Sequence, residues 1–143
     1  MEDRKRQDFP VNCIRLCFEV LDDEQCKGSI SGVALKNAIS FCGLKEFIIV
    51  VDDAFNEIGQ PQPHQVLRSF KETSAYQPYN SRPERYNSSE DIASMTGGAG
   101  TLDMIMLSRQ HAEWQGIIKN IKGERVGAFN SSMECMSLLK SSI

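Results

Sequence analysis

Five cysteines and two histidines are the side chains of this sequence best suited to binding a metal ion or attacking a substrate. Cys13 and Cys17 lie four residues apart, about one helical turn, and Cys26, Cys42 and His64 follow along the chain. This set raises the hypothesis of a zinc site. Zinc sites usually take their cysteines from short C-x2-4-C loops, whereas these cysteines fall among apolar residues. The pattern therefore favours buried, reduced thiols, with no bound metal or cofactor.

A catalytic cysteine would require Cys42 or Cys135 to lie beside His64 or His111. The residues that flank them match no nucleophile motif. The glycine-rich stretch 97–100 lacks the lysine and the preceding strand of a phosphate-binding loop, so it is interpreted as a linker. The sequence favours a protein that is not an enzyme, and an enzyme with a cryptic site stays an alternative.

The charge of the chain argues against nucleic-acid binding. The formal net charge is −3 over 143 residues; residues 1–72 carry nine Lys/Arg against twelve Asp/Glu, and residues 73–143 carry seven of each. Binding to phosphates requires a local excess of cations, which neither half offers. An odd number of cysteines without a secretion signal favours a reducing compartment, and no apolar run is long enough to span a membrane. We expect a cytoplasmic protein, with cytoskeletal association as a more specific hypothesis.

The spacing of apolar residues predicts a mainly α fold. Ile14, Cys17, Phe18 and Leu21 follow the i, i+3, i+4, i+7 pattern of an amphipathic helix. Similar spacing predicts further helices near residues 35–42, 47–58, 65–73, 102–106, 114–121 and 131–141. A buried strand is the alternative for residues 47–51; a helix that ends at Gly59 is favoured because the apolar spacing continues through Ile58.

Residues 74–101 form a distinct segment that separates a first unit (1–73) from a C-terminal helical unit (102–143). Residues 74–89 contain no aliphatic side chain larger than alanine, but they are rich in tyrosine, arginine and proline. Tyrosine and arginine are enriched at protein interfaces. The candidate residues for an extended partner-binding arm are Tyr76, Tyr79, Arg82, Arg85 and Tyr86. The alternative is a linker between helices.

The segment 11–44 resembles an EF-hand of the calmodulin-like family. FEVLD at residues 18–22 matches the incoming helix and first ligand, GSIS at 28–31 the turn of the loop, and LKNAISFCGL at 35–44 the outgoing helix. A fainter second copy consists of FNEI at 55–58 and Val66. The resemblance implies an EF-hand-like pair of helix-loop-helix units, followed by the arm and two or three C-terminal helices.

The calcium ligands of that family are missing. An EF-hand loop binds calcium through oxygens at positions 1, 3, 5, 7, 9 and 12. With Gly28 at position 6, Lys27 occupies position 5 and Ala34 occupies position 12, while the second loop has Gly59 and prolines where carboxylates belong. We therefore expect a degenerate, light-chain-like pair that does not bind calcium.

Such a pair is implied to bind a protein partner constitutively. The resemblance assigns a groove for an amphipathic partner helix to nine residues: Ile14, Phe18, Leu21, Leu35, Ile39, Phe47, Val51, Phe55 and Phe70. The alternative is that they form the core of the domain itself. The expected function is a non-enzymatic, calcium-independent adaptor or scaffold subunit that holds a helix or lies on a filament surface within a larger assembly, cytoskeletal or axonemal. A helical nucleic-acid-associated module is the competing hypothesis, and no membrane partner is expected.

Overall fold

The computed structural model describes residues 9–22, 24–60, 83–110 and 113–143, and its centre is a six-stranded antiparallel sheet. The strands are β1 (Cys13–Leu21), β2 (Cys26–Ser31), β3 (Ile39–Cys42), β4 (Gly100–Gln110), β5 (Glu113–Lys119) and β6 (Arg125–Phe129). Their order across the sheet is β3-β2-β1-β4-β5-β6. The three helices are α1 (Leu44–Ile58), α2 (Ser89–Ala93) and α3 (Ser132–Ser141).

The mainly α, EF-hand-like fold expected from the sequence is therefore wrong. The chain forms β1, β3, β4 and β5 where the spacing predicts helices at residues 14–21, 35–42, 102–106 and 114–121. A tight hairpin turn joins β1 to β2, and in it the Asp22 carboxylate accepts hydrogen bonds from the backbone N–H groups of Glu24 and Gln25. It is not a loop between two helices. The expected helix at 65–73, with Val66 and Phe70, lies outside the described residues.

Alternation of side chains explains these strands. In β1, Ile14, Leu16 and Phe18 are fully buried on one face of the sheet, and Cys13, Arg15, Cys17 and Glu19 point to the other. The face covered by α1 and α3 is called the inner face, and the opposite one the outer face. β4 repeats the alternation with Leu102, Met104 and Met106 on the inner face.

Two of the expected helices are present. α1 begins after Gly43 and ends at Gly59, whose left-handed conformation (φ 91°) allows its N–H to bond back to Phe55. α3 begins with Ser131, whose hydroxyl accepts from the N–H of Glu134. Both helices place apolar side chains on the inner face, where they share one hydrophobic core with the strands.

The fold consists of two similar βββα repeats, β1-β2-β3-α1 and β4-β5-β6-α3. A residue of the first repeat and its counterpart in the second are 88 positions apart, as Gly28 and Gly116 or Phe41 and Phe129 are. The bulge between Phe18 and Val20 recurs between Met106 and Ser108. At the start of each helix a glutamate accepts from a backbone N–H four residues earlier: Glu46 from Cys42 at 2.7 Å and Glu134 from Asn130 at 2.8 Å.

An approximate two-fold axis relates the repeats and is perpendicular to the sheet. β1 and β4 pair antiparallel so that Arg15 lies opposite Asp103, its own counterpart 88 residues later. The neighbouring pairs, Cys13 with Ile105 and Cys17 with Thr101, exchange places under this operation. The axis therefore passes between Arg15 and Asp103, and β3 and β6 are equivalent outer strands of the described sheet.

Candidate functional site

A buried ion pair occupies the two-fold axis on the outer face. The guanidinium of Arg15 donates to both carboxylate oxygens of Asp103, Nε to Oδ1 at 2.8 Å and Nη2 to Oδ2 at 2.9 Å. Each residue is 1% exposed. A two-pronged arginine–carboxylate pair is geometrically specific, and it fixes the register of the central strands.

The same guanidinium holds a segment across the outer face, here called the strap (residues 84–98). Nη1 of Arg15 donates to the carbonyls of Ala93 (2.9 Å), Met95 (3.2 Å) and Ile92 (3.3 Å), at the end of α2. At its other end, Asn87 donates from Nδ2 to the carbonyls of Gly32 (3.0 Å) and Leu35 (2.8 Å). The strap is therefore fastened at two places to the first repeat and to the central strand.

The strap closes a small second core on the outer face. Ile92 lies in this cluster with Phe9, Cys13, Val33 and Ile105. The centroid of the Phe9 ring lies 5.2 Å from the guanidinium carbon of Arg15. This cluster explains why residues that point away from the helices are still buried.

Loosening the strap should expose outer-face thiols selectively. Asn87→Ala removes the two hydrogen bonds to Gly32 and Leu35, and we expect Cys13 and Cys17 to react about tenfold faster with a maleimide. Labelling followed by mass spectrometry would measure the rate at each thiol. Cys26 and Cys135 lie in the inner core and should keep their rates.

The matched control is Asn37→Ala, which changes an exposed asparagine and should leave every rate unchanged. Equal acceleration at the inner-core thiols Cys26 and Cys135 in the Asn87 variant would mean general loosening of the fold, and would contradict this role of the strap.

The thiols themselves are poor nucleophiles. Burial raises the pKa of Cys135 to about 12, and it also raises the pKa values of Cys13, Cys17 and Cys26. A protonated thiol neither attacks a substrate nor binds a metal well. Cys42 is the exposed thiol. His64 and His111 lie outside the described residues, and the described ones contain no group of three or more metal-binding side chains.

A second buried arginine joins the two repeats on the inner face. Arg109 of β4 donates from Nη1 to the Asp52 carboxylate at 2.8 Å and to the Asn56 side chain at 3.0 Å, both on α1. Burial lowers the pKa of Arg109, and the Asp52 carboxylate opposes this shift. Because it ties a helix of one repeat to a strand of the other, we interpret Arg109 as a structural residue.

The groove residues expected from the sequence lie in the inner core. Six of them are buried: Ile14, Phe18, Leu35, Phe47, Val51 and Phe55. Leu21 and Ile39 are partly buried against the same cluster, and Phe70 lies outside the described residues. Their burial matches the alternative, that they form the core of the domain itself.

The arm residues expected from the sequence are only partly described. Arg85 lies in the strap and donates from Nη2 to the carbonyl of Phe9 at 2.8 Å. Tyr86 is exposed, and its backbone N–H donates to the carbonyl of Val33 at 2.7 Å. Tyr76, Tyr79 and Arg82 lie outside the described residues. The described part of the arm is thus bound to the sheet of its own chain.

The outer face of the second repeat carries an apolar surface, here called the outer patch (Leu107, Ile117, Val126 and Ala128), in which Ile117 is partly buried against the second core. Leu107 is 60% and Val126 38% exposed. Ile117 and Ala128 are cross-strand partners on β5 and β6, and Ala128 is exposed. Strand alternation places Ala128 on the outer face, because its neighbour Gly127 faces Leu138 of α3; Val126 precedes Gly127 at a register shift between β5 and β6.

The first repeat is polar at three of the four corresponding positions; the fourth, Ala38, is the counterpart of Val126. Glu19, Ser29 and Ser40 are the counterparts of Leu107, Ile117 and Ala128. With Lys27, Cys42 and Glu46 they line a shallow groove of about 390 Å³. The groove has charges of both signs, and its described lining residues include no nucleophile paired with a base. The two repeats therefore share one backbone arrangement, but at these three positions the outer face is polar in the first repeat and apolar in the second.

Sequence reasoning missed the outer patch, the strap and the ion pair. Only the shared 88-residue spacing of Gly28/Gly116, Phe41/Phe129 and Glu46/Glu134 could have revealed the repeats. None of the helices within the described ranges is long and apolar enough to cross a membrane. The chain matches no protein-family model, no curated protein and no solved structure.

Proposed function

We propose that the chain is a non-enzymatic protein-binding module, and that it binds its partner through the outer patch. The observation that carries the proposal is the contrast between the repeats: at equivalent positions Glu19, Ser29 and Ser40 are replaced by Leu107, Ile117 and Ala128. Exposed apolar side chains that cluster on a folded surface mark interaction sites. The polar first repeat shows that the backbone does not itself require apolar residues there.

The outer patch differs from the groove for a partner helix that the sequence predicted. The outer patch lies on an open sheet face beside the strand β6, so it suits a partner that presents an apolar strand or flat surface. The balanced charge of residues 73–143, seven cations against seven anions, gives no reason to prefer a nucleic acid.

Site-specific photo-crosslinking tests the proposal with controls inside the same chain. A photoreactive phenylalanine is placed at Leu107 or Ala128, and in separate variants at the counterparts Glu19 or Ser40. In native extract we expect protein adducts from the two second-repeat positions, in at least about tenfold greater yield than from the first-repeat positions. Equal yields from both repeats, or adducts only with nucleic acid, would contradict the proposal.

A further inference from the structure

In the part of the chain that the structure describes, the outer strand β6 has an open backbone edge beside the outer patch. Among the described residues, β6 pairs with β5 on one side and with no strand on the other. In the first repeat, Gly43 N–H donates to the carbonyl of Cys26, and alternation from that bond turns the backbone groups of Ser40 outward; its counterpart in β6 is Ala128. An edge of this kind is a template for pairing with another strand.

The charges around β6 are divided between its two ends. Near its start lie Lys119, Lys122 and Arg125 with the single acid Glu124, which gives a local charge of +2. Near its end lie the exposed acids Glu113 and Glu134, which give −2. An antiparallel copy of the same strand reverses this order. Each basic end then lies beside an acidic end.

We propose that the partner of the outer patch is a second copy of this chain, paired antiparallel through β6. A two-fold axis at Ala128 places the outward N–H and carbonyl of Ala128 in each copy opposite those of the other, so that the two residues exchange hydrogen bonds. The two sheets become one continuous sheet. The inference rests on the proposed function and names the partner for the β6 edge of that surface; Leu107, two strands away on β4, lies outside this contact.

The opposite edge, β3, is less suited to this pairing. By the same alternation the N–H of Cys42 points outward, and the Glu46 carboxylate already accepts from it at 2.7 Å. β3 is also shorter, four residues against five in β6, and its outer-face neighbours are polar. In β6 the equivalent glutamate bond is made to Asn130, one residue beyond the strand, so the two edges differ in strand length and in the polarity of their outer-face neighbours.

Sedimentation velocity of the full chain tests the inference. The wild-type protein should change from 16.0 kDa to twice that mass as its concentration rises from about 1 to about 200 μM, because a short edge-strand interface gives modest affinity. Ala128→Pro removes an outward N–H and should weaken the dimer at least about 30-fold. Ser40→Pro makes the same change at the equivalent position of β3 and should leave the dimer unchanged.

A second pair of variants covers the case in which proline disturbs folding. Ala128→Lys places a cation on the open edge and should also prevent dimerisation, whereas Ser40→Lys should not; circular dichroism confirms that each variant is folded. A wild-type monomer at every concentration would overturn the inference, as would a dimer that responds equally to changes at positions 40 and 128 or to neither. A monomer whose outer patch still crosslinks to a different protein would overturn only the identity of the partner and leave the proposed function standing.

Discussion

Replacing Asp103 with alanine should destabilise the fold by about 3–5 kcal/mol, among the largest effects expected of any single substitution in this chain. The substitution leaves the guanidinium of Arg15, 1% exposed, without its anionic partner on the two-fold axis. The carbonyls of the strap still accept from Nη1, but neutral carbonyls do not replace a carboxylate. Urea unfolding measures the loss directly, and the melting temperature should fall by roughly 10 °C.

Comparing single and double substitutions tests the Arg15–Asp103 ion pair better than one variant does. Arg15→Ala should cost at least as much as Asp103→Ala, because it also frees the strap carbonyls. Arg15→Met with Asp103→Leu should cost less than the sum of the two alanine changes, since no charge is left buried. Glu113→Ala, at an exposed acid of β5, is the control and should change stability by no more than about 0.5 kcal/mol. A cost below about 1 kcal/mol for Asp103→Ala would contradict the structural role of the pair.

Adding a methyl group at Gly116 or at Gly28 should destabilise the protein by about 3 kcal/mol. A Cβ at Gly116 would collide with the backbone carbonyl of Ile105, and one at Gly28 with the carbonyl of Cys17. Ile105 and Cys17 are themselves counterparts, so the two collisions are equivalent. Both carbonyls belong to central strands of the sheet and cannot move aside without breaking the ladder.

Gly98→Ala is the matched control, because its added Cβ would meet only the end of the Glu19 side chain, at 3.4 Å. Thermal unfolding should show similar large losses of stability for Gly28→Ala and Gly116→Ala. The stability of Gly98→Ala should be almost unchanged. Gly116 has a further neighbour, the ring of Phe129 at 2.8 Å, so Gly116→Ala should be the worse of the pair. Losses that are small, or that differ greatly between Gly28 and Gly116, would contradict the equivalence of the repeats.

The sequence predicted the helices better than the strands. α1 and α3 have terminal signals, a glycine after Ile58 and a serine before residue 132, which act locally and can be read directly. In β1, a helical pattern of Ile14, Cys17, Phe18 and Leu21 competes with the alternation of Ile14, Leu16 and Phe18. Only burial on the sheet decides between them, and burial depends on strands far away in the chain.

The sequence could not show the site, because its side chains are held by partners that lie far away in the chain. Arg15 and Asp103 are separated by 88 residues, and each reads alone as an ordinary charged surface residue. Cys13 and Cys17 were correctly expected to be buried, yet they are buried on the outer face, where the strap covers the sheet. The resemblance to an EF-hand arose at a β-hairpin, because acidic turn residues followed by glycine serve both structures.

The outer patch follows from comparing the two repeats, and that comparison requires the register of the sheet. Leu107 alone is an exposed leucine, which needs no explanation on the surface of a folded domain. Beside its counterpart Glu19, it becomes one of several polar-to-apolar differences on a single face. The register of the sheet thus shows that residues far apart in the sequence lie together on one surface.

Hydrogen–deuterium exchange of the full chain, at about 1 μM and about 200 μM, tests most directly that β6 of the second repeat pairs with a second copy of the chain. The two outer strands serve as mutual controls, because they are equivalent by the two-fold axis. We predict that backbone exchange in β6, residues 125–129, slows at least about tenfold at the higher concentration, while exchange in β3, residues 39–42, stays the same. Unchanged exchange in β6, or equal slowing in both strands, would contradict the assignment.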